Sequence, residues 1–168
     1  MQEIQDFIIA RPNHKAERKK LLHYCLFLLC WKAGLRVTEA INFNPELRHP
    51  EPEYCDLYLL RGKGSKDRYV YVSPEIIEVL KNYSWETNKT SRRNFWDSLD
   101  RIRYDLNISI NTQLAPHTLR RCFATYNVFA DMPLNVLQKA LGHSRISTTA
   151  FSLTNNFLIH KNFFQWHF

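Results

Sequence analysis

The chain has 168 residues, 45% of them hydrophobic, including 11 Phe and 8 Tyr. That is enough apolar material for one domain with a real core, and it excludes a disordered segment. Lys and Arg number 23 against 16 Asp and Glu, a formal net charge of +7, which suits a polyanion partner without requiring one.

Read in chain order, His14 to Ala33 has the pattern of a helix. A basic opening (Lys15, Arg18, Lys19, Lys20) runs into a strongly apolar end, and Gly34 stops it. Thr38 is placed to N-cap a short second helix with Glu39 in its first turn. Asn44, Pro45, His49, Pro50 and Pro52 mark a loop. Tyr54 to Leu60 and Arg68 to Val72 are strand-like runs. The glycine-bearing turn Arg61-Gly62-Lys63-Gly64-Ser65-Lys66-Asp67 between them makes a β-hairpin, about 54–72, with a basic tip.

Helices follow. Ser73-Pro74-Glu75 is a helix start, and that helix runs to about Tyr83. Ser91 caps another, reaching about Leu106; Pro116-His117-Thr118 opens a third, to about Ala130. Pro133 opens a fourth, which Gly142 ends, and Ser147-Thr148-Thr149 begins a fifth. The segment 157–168 is an aromatic, amphipathic tail. With no repeat and no flexible linker, the reading is a single domain over 1–168, of class α+β, mostly helical with a small antiparallel sheet.

Cys25, Cys30, Cys55 and Cys122 make no CxxC pair and no zinc spacing, and three of them read as small hydrophobes. Glu3 and Asp6 are wrong for a secretory leader, and the apolar run Tyr24 to Trp31 is too short to cross a bilayer. These features predict a reduced, intracellular protein with no membrane partner.

Four segments offer a basic group beside a sharp local feature. In Gly34-Leu35-Arg36-Val37-Thr38-Glu39 an arginine fork, whose geometry matches two phosphate oxygens, has a glutamate positioned to buttress it. Lys63, on the hairpin turn, can reach over a substrate and carries a proton for a leaving alkoxide. Lys66 and Arg68 add charge there for sequence-independent phosphate contacts. In Pro116-His117-Thr118-Leu119-Arg120-Arg121, His117 and Arg120 share a face at a helix start, where an anion is favoured. In Leu141-Gly142-His143-Ser144 a histidine sits on the bend after a helix-ending glycine. Taken singly, each also has an ordinary reading as a solvated or capping side chain.

Taken together and in this order, Arg36, Lys63, His117-x-x-Arg120 and Leu141-Gly142-His143-Ser144 resemble the catalytic domain of the tyrosine recombinases, or phage integrases, over about residues 15 to 155. The resemblance implies a mostly helical fold with a small antiparallel sheet. It implies that Arg36 and Arg120 clamp a scissile phosphate, and that His117 assists proton transfer. Lys63 would protonate the departing 5′ hydroxyl, His143 would donate a hydrogen bond to the phosphate, and Glu39 would support Arg36. It implies double-stranded DNA as partner and a homotetramer on paired sites, with a monomer away from DNA. Bond energy would be kept in a covalent 3′ phosphoprotein link, with neither metal nor other cofactor. Arg121 stands where a second histidine often follows, and keeps positive charge near the DNA.

The sequence departs from the pattern at the nucleophile. The family's tyrosine usually falls nine residues after the Leu-Gly-His histidine, which here is Ser152, and no tyrosine follows Tyr126. A phenol ionises far more readily than a serine hydroxyl and reaches further, so the chain as written is expected to cleave poorly or not at all. Either Ser152 was introduced to block cleavage, or the protein is a natural relative that binds DNA without cutting it. The retention of every other polar catalytic position favours the first. A non-catalytic DNA-binding regulator and a type IB topoisomerase are the alternatives to a recombinase. Only about 14 residues precede the first helix, so an N-terminal DNA-clamping domain is expected to be absent.

Overall fold

A computed structural model describes residues 5–6, 17–62, 67–82, 85, 90–109 and 113–143. Helix α1, Glu17–Trp31, lies at the centre. Every position from Tyr24 to Cys30 is buried, as expected of a helix covered on all sides rather than lying on a surface. It packs against the short helix α2 (Val37–Ile41), α3 (Pro74–Asn82), α4 (Arg92–Asp105) and α5 (Pro116–Phe129). The last helix among the described residues, α6 (Leu134–Leu141), packs on α5 and on the hairpin.

The hairpin consists of β1 (Leu57–Leu60) and β2 (Arg68–Tyr71), antiparallel, with Leu57 opposite Tyr71 and Leu60 opposite Arg68. The run beginning at Tyr54 starts later than expected because Pro52–Tyr54 forms a 3-10 turn. Along β2 the period of two is clean: Val70 and, just beyond, Val72 are buried, while Tyr69 and Tyr71 face outward. On the far side of β1, His49 N–H donates to the Leu57 carbonyl at 2.8 Å and Leu59 N–H to the Leu47 carbonyl at 2.8 Å. The proline-marked loop therefore protects the sheet edge.

Local signals set the helix ends. The Ser91 hydroxyl accepts from Asn94 N–H at 3.1 Å, the N-cap the sequence predicts. Gly142 ends α6 with φ +60. Burial raises the thiols of Cys25 and Cys30 to about 12 and that of Cys122 to about 11, consistent with small hydrophobes. No described helix is long and apolar enough to cross a membrane.

Candidate active site

The site begins at the corner after α1. Gly34 is buried at φ +68, and Leu35 N–H donates to the Leu29 carbonyl at 3.0 Å. The Phe123 ring closes over this glycine so tightly that a Cβ would lie 2.4 Å from it. The turn delivers Arg36, in extended conformation, immediately before a new helix. The N-cap of α2 is Arg36, two residues before the expected Thr38, which is exposed within the first turn. The glycine corner sets where the helix begins, and the capping comes from the other end of the turn. The Glu39 carboxylate reaches back to accept the Arg36 backbone N–H at 2.7 Å.

Glu39 is the hub of the site. Its Oε1 accepts from Arg36 Nη1 at 2.8 Å and Arg68 Nη1 at 2.7 Å. Its Oε2 accepts from Arg68 Nη2 at 2.9 Å and lies 3.5 Å from Arg120 Nη1. Three guanidiniums from α2, β2 and α5 thus surround one carboxylate, leaving two positive charges in excess. Burial by itself would raise the Glu39 carboxyl; the Arg68 hydrogen bonds, the Arg36 amide and the Arg68 charge outweigh it and hold the group at about 2.

Backbone carbonyls fix the arginines further. Arg120, buried on α5, donates from Nη1 to the Gly34 carbonyl at 2.7 Å and from Nη2 to the Leu141 carbonyl. Arg36 donates from Nη2 to the Gly142 carbonyl at 3.1 Å, and Arg68 from Nε to the Ala140 carbonyl at 3.2 Å. The last turn of α6 therefore offers three successive carbonyls to three arginines, the interaction a helix C-terminus favours. Desolvation, then the charge of Arg36, lowers Arg120 to about 10, so it remains a cation at neutral pH.

His143 follows directly. Its N–H donates to the Gln138 carbonyl at 3.1 Å, and Gln138 Nε2 donates to the His143 carbonyl at 3.0 Å, so both ends of its peptide are held. Desolvation and the charges of Arg120, Arg36 and Arg68, opposed by Glu39, push its imidazole down to about 4. At neutral pH it is an uncharged ring able to donate one N–H without titrating.

The structure thus brings Arg36, Glu39, Arg120 and His143 together. His117 is exposed in the first turn of α5, its ring centroid 5.9 Å from that of Trp96. Arg120, three residues on, is drawn inward by carbonyls and Glu39, so of these two side chains one is buried and the other exposed. Desolvation and neighbouring Arg121, itself half-buried, lower the His117 imidazole below its usual range. Lys63, Lys66, Ser152, the helix expected from Ser147 and the 157–168 tail lie outside the described residues. No cluster of His, Cys, Asp or Glu among the described residues is arranged to hold a metal.

Arg68 is the correction. Grouped by the sequence with surface charges available to DNA, it is turned inward, with only 13% of its side chain exposed and its fork on Glu39. The signal was present in β2: Arg68 shares the parity of Val70 and Val72, the inward face.

The phage integrase family model matches residues 2–156. A tyrosine recombinase of Pseudothermotoga lettingae is 30% identical over 160 residues, covering 88% of this chain and 55% of the relative. Tyrosine recombinase XerA of Thermococcus kodakarensis is 31% identical over 154 residues, covering 82% and 50%. The chain therefore spans about half the length of these relatives. Among solved structures, the XerH site-specific recombinase bound to difH substrate in a pre-cleavage complex aligns with a TM-score of 0.75 at 19% identity, over 99% of this chain and 51% of that one. The catalytic domain of bacteriophage HP1 integrase aligns with a TM-score of 0.60 at 19% identity, over 98% and 92%. At those identities the likeness is one of fold: mostly helical, with a small antiparallel sheet.

Proposed function

The chain belongs to the phage integrase family, and on that premise we propose that it is the catalytic domain of a site-specific DNA recombinase whose nucleophile position holds Ser152. The observation that carries the reading is the junction of Arg36, Arg120 and His143 around Glu39. Two guanidiniums backed by a carboxylate and by carbonyls are pre-oriented donors for a phosphodiester whose non-bridging oxygens gain charge during substitution. The neutral His143 adds an N–H donor at the same end.

In the reaction so assigned, a tyrosine hydroxyl at position 152 attacks phosphorus. The bond to the 5′ oxygen breaks, Lys63 protonates that oxygen, and the strand stays attached through a 3′ phosphotyrosyl bond. His117 takes the nucleophile's proton; its lowered imidazole suits a base. Reversal on a partner strand reseals DNA without a metal or nucleotide. Arg121 and Lys66 would contribute contacts to the DNA backbone, and two duplexes would be held by four protomers.

Serine at position 152 has a much higher pKa and a shorter reach, so the chain as it stands is expected to bind DNA and leave it uncut. The same residue supports a second reading, a DNA-binding regulator on this fold that never cleaves. Ser152→Tyr, incubated with supercoiled and nicked DNA and resolved on a denaturing gel, separates the two. A covalent protein–DNA adduct with the tyrosine form alone supports the recombinase. DNA binding by both forms without an adduct favours the regulator, and an adduct with the serine form overturns the account of the nucleophile.

A further inference from the structure

A carboxylate offers about four lone-pair sites. On Glu39 two of these go to Arg68 and two to Arg36, one of the latter through its backbone. Arg120 is left 3.5 Å away, an ion pair without a short hydrogen bond to the carboxylate. Arg68 therefore occupies the oxygens that Arg36 and Arg120 would otherwise bind with their full forks. It also supplies one of the three positive charges that leave the junction cationic; without it a single charge would remain in excess.

Arg68 is a mechanical tie as well. It is the first residue of β2. Its Nε holds the Ala140 carbonyl, and its side chain packs against Gly142, where an added Cβ would lie 2.9 Å from Arg68 Cδ, Nε and Cζ. One side chain thus joins the hairpin, the Glu39 hub and the bend that presents His143.

We propose that Arg68 is a positioning residue for strand cleavage: by saturating Glu39 and pinning β2 to the end of α6, it keeps the Arg36 and Arg120 forks available to the phosphate and fixes His143 relative to them. Arg68 acts through Glu39 and does not itself touch DNA. The inference rests on the recombinase reading above and extends it to a residue that reading leaves unused.

The test is a double-mutant cycle in the Ser152→Tyr chain, read as the rate of covalent adduct formation at saturating nicked duplex, with duplex affinity measured separately. Arg68→Met is expected to slow the rate about 100-fold while shifting duplex affinity by less than about 3-fold. Arg68→Lys, which restores the cation but not the fork, should recover part of that rate. Glu39→Gln should also slow it, and the double variant should be no slower than the slower single one. Loss of affinity and a shallower salt dependence at an unchanged saturated rate would identify a DNA contact instead, overturning the proposal. So would fully multiplicative effects of Arg68→Met and Glu39→Gln, or a lysine form no faster than the methionine form.

If Ser152→Tyr itself forms no adduct, the recombinase reading fails first, and Arg68 is then tested on the chain as it stands. His143 faces Arg36, Arg68, Arg120 and Glu39. Its ring titration, followed by NMR, should move upward in a folded Arg68→Met chain. An unmoved midpoint shows that Arg68 does not organise the pocket.

Discussion

The Glu39 junction and the start of α5 use similar chemistry in opposite ways. At the junction, guanidiniums are held by a carboxylate and by carbonyls from two helix ends, with Arg120 buried and Arg68 nearly so. At the start of α5, His117 is exposed and rests against Trp96 by ring packing. The difference is one of reorganisation. On the proposed function, the junction would have its donors placed before a phosphate arrives, while the exposed His117 would turn toward the nucleophile. The price is that the junction is coupled to folding, because each of its charges is tolerable only while the others are present.

That contrast can be broken by measurement. Glu39→Ala strips the carboxylate from three arginines and should cost about 3–5 kcal/mol in chemical denaturation. A loss under about 1 kcal/mol would mean that water, rather than Glu39, compensates these charges.

Gly34→Ala attacks the corner that delivers Arg36. Its Cβ meets the Phe123 ring at 2.4 Å and its φ is +68, so a loss of about 2–4 kcal/mol is expected, read as a lower Tm.

Acid should weaken the junction in two steps. The folded state holds His143 near 4, below its usual 6.5, so the unfolded chain binds that proton first and stability falls as pH drops from 6.5 to 4. Solvent screening of this half-buried ring limits that step to on the order of 1–2 kcal/mol. Glu39, held near 2 against 4.5, contributes stability that is lost between those values. Denaturation midpoints at pH 7, 5.5, 4 and 3 follow both steps, and His143→Gln should flatten only the upper one.

The smallest effect on stability belongs to His117→Ala, expected within about 0.5 kcal/mol because the residue is exposed. In the Ser152→Tyr chain the same change should slow adduct formation about 100-fold or more. A variant that unfolds readily would instead make His117 part of the scaffold.

The sequence was most legible where one residue type has one local use. Ser91 as a cap, Pro116 at a helix start and Gly142 at a helix end fall where the pattern places them, because each acts within a turn of itself. Thr38 misled because a hydroxyl at a helix start is a common cap, whereas here Glu39 serves from inside the helix. Pro52 and Tyr54 lie in a 3-10 turn that a propensity for strand cannot reveal.

By itself, the sequence determined the order of elements and the residue types Arg36, Glu39, Arg120 and His143 that resemble the family's site, together with serine at position 152. It could do so because periodicity, capping and motif spacing are local properties of a chain. Only the tertiary structure decided that Arg68 shares Glu39 with Arg36 and Arg120, and that the carbonyls of Gly34, Ala140, Leu141 and Gly142 hold the arginine forks. Those partners come from segments up to 106 residues apart. A buried charge settles on whichever donors and acceptors the packed elements bring within about 3 Å, and no local pattern records that choice.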